Sequence, residues 1–491
     1  MTDDGQVGGR RAVADILVQV VARAGNLLLG IVATLVLVRT LGDDDFGRWA
    51  TLLSITQIAM VFVDLGLEPA VVSLAARDPD REGSWVGALV TLRILLGIPA
   101  TIISIVICLI VADNGDMALA GVLLSCTMLA AAPSALRVLN QLRVRNDVTM
   151  IVLTANSVLW GGAVIGLAVV GVPMAAYAAA FLAVTFATAT LQAVLSRPQM
   201  RQRLRLAREL WREALKAGLP LGIAGVISTA SARAPQIFVF ELDGTREAGL
   251  YGAATRLYEQ SHFIPMAVVT TLLPIMAIAH KADPAKARRV LELSVGYLLM
   301  ASLPVFVLTL AASPEILTLL FGDSFADAAP ALPILMATFV LVAVNYPLDN
   351  MILVQGQQKW LVGRAVLATV IIVVGTAATV PFIGFVGAAA SVLVAEAVVT
   401  YQTVRFVSGT LGGGLRAGPI LRILAAGAIA MAVLEALDLL VGAPLGVLIV
   451  VLAVVYPAAL VLFRALDLDE ARQLIRRQPP PDLEPEPTPD P

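Results

Sequence analysis

The chain has 491 residues, 58% of them hydrophobic and 14% charged, with a mean hydropathy of +0.87 and a formal net charge of -2. A soluble protein of this length cannot hide so much apolar surface in its interior. The basic residues are scattered between apolar stretches and make no clustered positive face, which excludes a nucleic-acid-binding role.

Residues 1–12 carry Arg10 and Arg11 ahead of the first apolar run. That run is too long for a signal-peptide core and lacks a small-residue cleavage site, so it reads as a retained span. About fourteen stretches are long enough to cross a ~30 Å hydrocarbon core. They run roughly 13–38, 47–75, 84–111, 117–139, 148–170 and 173–195, then 217–241, 248–279, 290–311, 328–355, 360–380 and 384–407, and finally 419–440 and 443–464. Lipid offers backbone groups no partner, and period-two alternation is absent, so the spans are predicted to be helices. The fold class is therefore all-α integral membrane.

The first hairpin, Leu17 to Ala76, turns at Leu41-Gly42-Asp43-Asp44-Asp45-Phe46-Gly47-Arg48-Trp49. The pattern returns 202 residues later, where Gly42 matches Gly244, Asp45 matches Glu247, Gly47 matches Gly249 and Trp49 matches Tyr251. Duplication of a membrane hairpin marks a transporter built of two repeats. Six helices separate the copies, so they share an orientation. The expected organisation is a cytoplasmic N-terminus (1–12), a six-helix lobe (13–196), a linker (197–216), a second six-helix lobe (217–408), a helix pair (409–465) and a cytoplasmic tail (466–491).

The linker holds Arg197, Arg201, Arg203, Arg205, Arg208, Arg212 and Lys216, with Leu204, Ala207, Leu210, Trp211, Ala214 and Leu215 as an apolar stripe. That pattern predicts a basic amphipathic helix at the membrane surface. The tail from about Gln478 is proline and acid without apolar content, the composition of a disordered segment. With the N-terminus inside, about 27 of the 34 Lys and Arg fall on the inner side, while Asp43, Asp44, Asp45, Asp113, Asp116, Asp323 and Asp327 fall outside. Both termini are expected to be cytoplasmic in a multi-pass protein of the cytoplasmic (inner) membrane.

No catalytic constellation emerges. Cys108 and Cys126 lie in apolar spans without a CxxC, which argues against disulfide or zinc frameworks. His262 has no carboxylate or cysteine at ligand spacing and reads as a packing residue. Gly161-Gly162 with Gly166, and Gly384 with Gly387, read as small-residue packing faces. No loop is long enough for a soluble catalytic domain, which disfavours a membrane glycosyltransferase or polymerase and leaves a helix end as the place for any active site. Neither a cofactor nor a metal site is expected.

Charge inside the bilayer is what remains, and such residues mark an interior cavity by default. Arg23, Arg93, Arg233 and Arg256 lie within spans 1, 3, 7 and 8. Gln19, Arg23, Asn26 and Gly30 share one face of span 1, Thr229, Arg233 and Gln236 one face of span 7, and Gly249, Gly252, Arg256 and Gln260 one stripe of span 8. At ~1.5 Å per residue, Arg256 lies roughly 10 Å below Gly249, Arg233 about 16 Å from Gly244 and Arg23 about 28 Å from Gly42. Two readings stand for each arginine. It contacts an anionic ligand, as Asn26 and Gln260 would beside it, or it is half of a buried ion pair. Asp64 and Glu68 lie near the depth of Arg23, and Glu259 is beside Arg256, so these three acids are the candidate ion-pair or coupling groups. Glu396, Glu435, Asp438 and the pair Asp349-Asn350 read as structural.

The Leu-Gly-x-x-x-Phe-Gly turn, the segment Asp64-Leu65-Gly66-Leu67-Glu68 and the segment Gly249-Leu250-Tyr251-Gly252-Ala253-Ala254 resemble the Wzx-type polysaccharide-export flippases of the multidrug/oligosaccharidyl-lipid/polysaccharide superfamily. The resemblance covers roughly 10–465. It implies two bundles that turn a polyprenyl-pyrophosphate-linked oligosaccharide across the inner membrane for cell-surface polysaccharide or lipopolysaccharide biosynthesis. Cationic residues would contact the pyrophosphate, and Arg23 and Arg256 are the best placed by position. Spans 13 and 14 are similar to the extra pair of fourteen-helix members. The implied partners are the lipid-linked oligosaccharide, membrane lipids, and polysaccharide polymerase and export proteins. The alternative is a cation-coupled multidrug exporter of the same superfamily, which would use the carboxylates Asp64 and Glu68 in a negative cavity. A third class is a channel or scaffold within an export complex.

The charge distribution generates a direct test. In a background lacking Cys108 and Cys126, Ser84→Cys is expected to label from the cytoplasmic side and Asp44→Cys from the opposite side. Labelling of both from one side overturns the topology.

Overall fold

The computed structural model describes residues 4–143, 145–200, 205, 207–263, 265–266, 275–280 and 283–465, with the side chains of 4–24, 146 and 284 outside that set. The linker residues 201–204 and 206, the tail 466–491 and the Arg23 side chain therefore lie outside the described residues. All regular structure among the described residues is helical. The first half comprises α1 (Asp4–Asp64), α2 (Leu67–Arg77), α3 (Glu82–Val111), α4 (Gly115–Cys126), α5 (Ala131–Ser134), α6 (Arg137–Leu142), α7 (Asn146–Val170) and α8 (Met174–Ser196). It is followed by α9 (Trp211–Leu242), α10 (Thr245–Ser261), α11 (Pro284–Phe321), α12 (Ala331–Val354), α13 (Gln358–Thr410), α14 (Ala417–Val441) and α15 (Leu445–Leu462).

Eleven helices among the described residues are long and apolar enough to cross a membrane. Two of them, Gly25–Arg77 and Gln358–Thr410, have 53 residues each. At ~1.5 Å per residue that is about 80 Å, more than two hydrocarbon cores. Each is divided by a non-helical break, at Gly42 in α1 and at Ile383–Gly384 in α13. The expected span 248–279 lies partly outside the described residues.

Three local expectations differ. The nine-residue turn at 41–49 is one residue of break. Gly42 takes φ 72°, ψ -177°, which a side chain disfavours, and Asp43 already continues the helix. Span 2 is not continuous. Leu65 (φ 41°) and Gly66 (φ 70°) interrupt it, and α2 restarts at Leu67. Span 4 is split into α4, a 3-10 turn at Thr127–Ala130, α5 and α6, with Pro133 inside α5.

The chain forms two compact units: Met1–Leu257 with Pro314–Leu335 and Lys359–Ala395, and Tyr258–Ser313 with Met336–Gln358 and Glu396–Pro491. Within the first unit, α1 packs against α3, α7 and α9. Trp49 stacks on Trp160 with ring centroids 6.3 Å apart, and Phe181 stands edge-on to both. At the other end of α1 a buried cluster gathers Leu67, Val71, Trp85, Leu89 and Leu139. Ala207, Leu210 and Ala214 belong to that cluster. The described part of the linker stripe thus packs into protein, not onto the lipid surface. Nor is the linker one helix: Arg197–Gln199 and Arg208–Leu210 are 3-10 turns, and from Trp211 the chain is already α9.

The repeated turns meet each other in this unit. A Cβ added at Gly47 would collide with Thr245 O and lie 2.7 Å from Gly249 N. One added at Gly249 would collide with Asp43 O. Asp43 and Thr245 are themselves 202 residues apart, so the two clashes are equivalent under the repeat. Thr245 Oγ1 donates to Asp44 Oδ1 at 2.6 Å. Arg246 bridges Asp43 (3.2 Å) and Asp327. Burial pushes the Asp243 carboxyl up, partly offset by the bond it accepts from Phe385 N, at the break in α13.

In the second unit, the His262 ring packs among Tyr258, Phe339 and Tyr346, consistent with a packing residue. Asn345 Nδ2 donates to Glu396 Oε1 at 2.6 Å and to Thr400 Oγ1 at 2.8 Å, tying α12 to the end of α13. Tyr456 of α15 donates to Met300 O of α11 at 3.1 Å.

The glycine contact is testable by cross-linking. Asp44→Cys with Thr245→Cys, in a background lacking Cys108 and Cys126, is expected to oxidise readily. Adding Gly249→Val should cut the yield severalfold, whereas Gly162→Ala, which meets open space, should leave it unchanged. An unchanged yield with Gly249→Val overturns the contact.

Candidate functional site

Four charges surround the break between α1 and α2. Arg93 on α3 bonds Asp64 through Nε at 3.2 Å, pairs with it again through Nη2, and reaches Glu68 Oε2 at 2.8 Å. Its Nη1 donates to Ala131 O at 3.3 Å. Arg137 on α6 grips Glu68 at 2.5 and 2.6 Å, and Gln141, one turn on, donates to Glu68 Oε1 at 2.9 Å. Arg93 and Glu68 are each 5% exposed. The chain takes positive φ at Leu65 and Gly66, between the two carboxylates; Asp64 meets α3, and Glu68 meets α3 and α6. Two carboxylates facing two guanidiniums leave no net charge to attract an anion. Removing one partner from such a buried pair costs roughly 3–5 kcal/mol, so the group acts as a clasp.

The sequence placed Asp64 and Glu68 near Arg23. The structure gives them Arg93 and Arg137 as partners. Arg137 was not among the expected site residues. The available signal was its i, i+4 spacing with Gln141 on one helix face.

The break is pressed against α9. A Cβ on Gly222 would come within 2.5 Å of Leu65 O, and one on Gly66 within 2.5 Å of Gly218 O. Beside it opens an apolar groove of about 460 Å³, lined by Ile55, Phe62 and Leu65 of the α1 segment, Leu96 and Ile103 of α3, and Ile237 of α9.

The remaining expected residues are spread over several helices. Asn26 donates through Nδ2 to Thr154 Oγ1 of α7 at 3.0 Å, so that donor is occupied within the first repeat. Arg233 is half-buried on α9. Gln236, one turn on, is buried and donates to Ala248 O at 2.8 Å, which fixes α9 to α10. On α10, Gly249 faces Asp43, and Gly252 faces Phe46 and Ala50 of α1. Arg256 follows on that stripe, one helical turn further, and is half-buried. It therefore lies on the α1-facing side of α10, about 10 Å below the glycine contact. Glu259 is half-buried and Gln260 exposed. Among the described residues no group of three or more His, Cys, Asp or Glu is placed to hold a metal ion.

Comparison with known proteins matches this architecture. The family model described as polysaccharide biosynthesis protein matches residues 36–330. No curated protein matches the chain in sequence. Among solved structures, the lipid II flippase MurJ in an inward closed conformation superimposes with a TM-score of 0.77 at 12% identity, covering 94% of this chain and all (100%) of that one. An inward-facing multidrug resistance MATE transporter of the MOP superfamily gives 0.65 at 15% identity, covering 79% and 94%. A MOP superfamily transporter from Pyrococcus furiosus, described as having a binding pocket of reverse polarity, gives 0.55 at 14% identity, covering 80% and 94%. These likenesses establish a multi-helix membrane transporter fold. With more than half of its length matched, the chain belongs to the polysaccharide biosynthesis protein family, a Wzx-like flippase family.

Proposed function

We propose that this protein flips a polyprenyl-pyrophosphate-linked oligosaccharide across the cytoplasmic membrane by alternating access between residues 13–196 and 217–408. The observation that carries the reading is Arg256, half-buried on the stripe of α10 that faces α1, about 10 Å below the close backbone approach at Gly249. A pyrophosphate carries about two negative charges and cannot cross hydrocarbon unaided. A planar guanidinium offers it paired hydrogen bonds that an ammonium cannot. Arg23 and Arg233 extend the series of depths along which the headgroup would be handed over.

The exporter alternative needs carboxylates free to bind a cation. Asp64 is held by Arg93, and Glu68 by Arg93 and Arg137, which favours the flippase. The apolar groove beside Leu65 suits a polyprenyl chain, while the spans expected at 419–464 lie outside the repeated unit and would border lipid.

The test reconstitutes the protein with a fluorescent polyprenyl-pyrophosphate glycan and follows its appearance at the outer leaflet. A hydrogen bond to a charged group contributes about 1.5–3 kcal/mol, so Arg256→Ala should slow flipping roughly tenfold to a hundredfold at normal protein level. Arg256→Lys should fall between it and the wild type, and Arg256→Glu should be slowest. Arg93→Ala should instead lower the amount of folded protein, because it uncouples the clasp. Wild-type flipping by Arg256→Glu removes the ligand role. A stationary glycolipid with cationic dyes exported against a proton or sodium gradient replaces this reading with the exporter.

A further inference from the structure

The second unit contains a cationic pocket that the transport reading does not use. It has a volume of about 310 Å³ and lies between the start of α11, the start of α14 and the end of α15. Arg289, Arg416, Arg422 and Arg464 line it, and among the described residues Glu292 is the one acidic residue in the lining. Glu292 is half-buried and already held. Arg289 reaches it at 3.3 Å and Arg416 at 3.7 Å, and it accepts the Arg416 backbone N–H at 3.2 Å. Arg422 donates through Nη1 to the Arg464 carbonyl at 3.3 Å. Among the described residues no carboxylate pairs with Arg422 or Arg464. Among the described residues the pocket therefore holds four guanidiniums against one carboxylate, in contrast to the balanced cluster around Glu68.

Below this rim the lining turns apolar, with Leu293, Met300, Ile420 and Ile423. The three helix ends and the arginines share one level, which is where a membrane-spanning helix meets the headgroups. A guanidinium rim over an apolar floor matches an anion carried on a hydrocarbon tail better than a free ion. Basic pockets between spanning helices on the cytoplasmic side take phosphate headgroups in this way. The arginine and lysine distribution assigns this end to the cytoplasm.

We infer that this pocket binds the phosphate headgroup of an anionic membrane phospholipid, with its acyl chains along the apolar floor of α11 and α14. The site clamps α14 and α15 to α11 when occupied, beside the Tyr456–Met300 bond that already links α15 to α11.

The experiment measures thermal unfolding of the purified full chain in phosphatidylcholine nanodiscs. The nanodiscs carry increasing phosphatidylglycerol or are supplemented with inorganic phosphate. Phosphatidylglycerol is expected to raise the unfolding temperature saturably. The Arg422→Gln, Arg464→Gln double variant should need at least about tenfold more of it, the loss expected for one charged hydrogen-bonded contact. Arg422→Lys, which keeps the charge but not the fork, should fall between. Native mass spectrometry should show one retained phosphatidylglycerol in the wild type and none in the double variant, which separates lost binding from lost stability. An equal phosphatidylglycerol response in wild type and double variant overturns the site. An equal response to inorganic phosphate, abolished in the double variant, overturns the lipid and assigns the pocket to a free anion.

Discussion

The architecture of the first unit depends on two helices approaching without side chains between them. At Gly47 and Gly249 the backbones of α1 and α10 are so close that any Cβ would strike a carbonyl of the other repeat. This is the small-residue packing that lipid-embedded helices use, where dispersion between close backbones replaces the hydrophobic effect. Because the same offset relates both glycines and both carbonyls, each repeat supplies the notch and the projection that fills its partner's notch. A second close approach, of Gly66 to Gly218 and of Leu65 to Gly222, lies nineteen residues further along the first repeat, or about 28 Å on a helix, one hydrocarbon thickness away. Glycine contacts interdigitate little, so such surfaces separate without dragging side chains past one another.

The rest of the first unit holds these contacts in register. Arg246 straps Asp43 to Asp327, and Arg39 donates to the carbonyls of Leu319 and Leu320 at the end of α11. Asp243, the residue before the second turn glycine, caps the break in α13. Trp49 anchors α1 on α7 and α8 through Trp160 and Phe181. At the opposite end the four-charge clasp fixes α2, α3 and α6 around the interrupted helix. Its members come from elements that are remote in sequence, so it resists rotation of α1 without depending on any single loop.

The repeated turn was legible because glycine and aromatic residues at fixed spacing survive a pattern search, and the physical reason for them is local. The all-helical membrane fold was legible from hydropathy alone. Hydropathy measures crossing lengths and is blind to how a chain passes from one to the next, so a one-residue break at Gly42 and a broken α1/α2 junction at Leu65–Gly66 were not. Glycine in an apolar run reads equally as a tolerated helix residue. The linker stripe was visible, yet an apolar stripe does not say whether lipid or protein will cover it. For Ala207, Leu210 and Ala214 the cover is α2, α3 and α6.

The charged residues show why depth alone could not assign the site. Depth along a helix follows from counting residues, but partnership depends on rotation and on which helix lies opposite. Asp64 and Glu68 were candidate ion-pair or coupling groups and Arg93 had both a ligand and an ion-pair reading; the structure pairs Arg93 with both acids. What separates a binding arginine from a clasping one is the local balance of charge. Where carboxylates match guanidiniums one for one, the group is a structural joint whose loss appears in protein level. Where guanidiniums outnumber carboxylates among the described residues, as around Glu292, the group is not a self-neutralised joint. A membrane protein of almost zero net charge can hold both kinds of site, because the balance that matters is taken over a few ångströms and not over the chain.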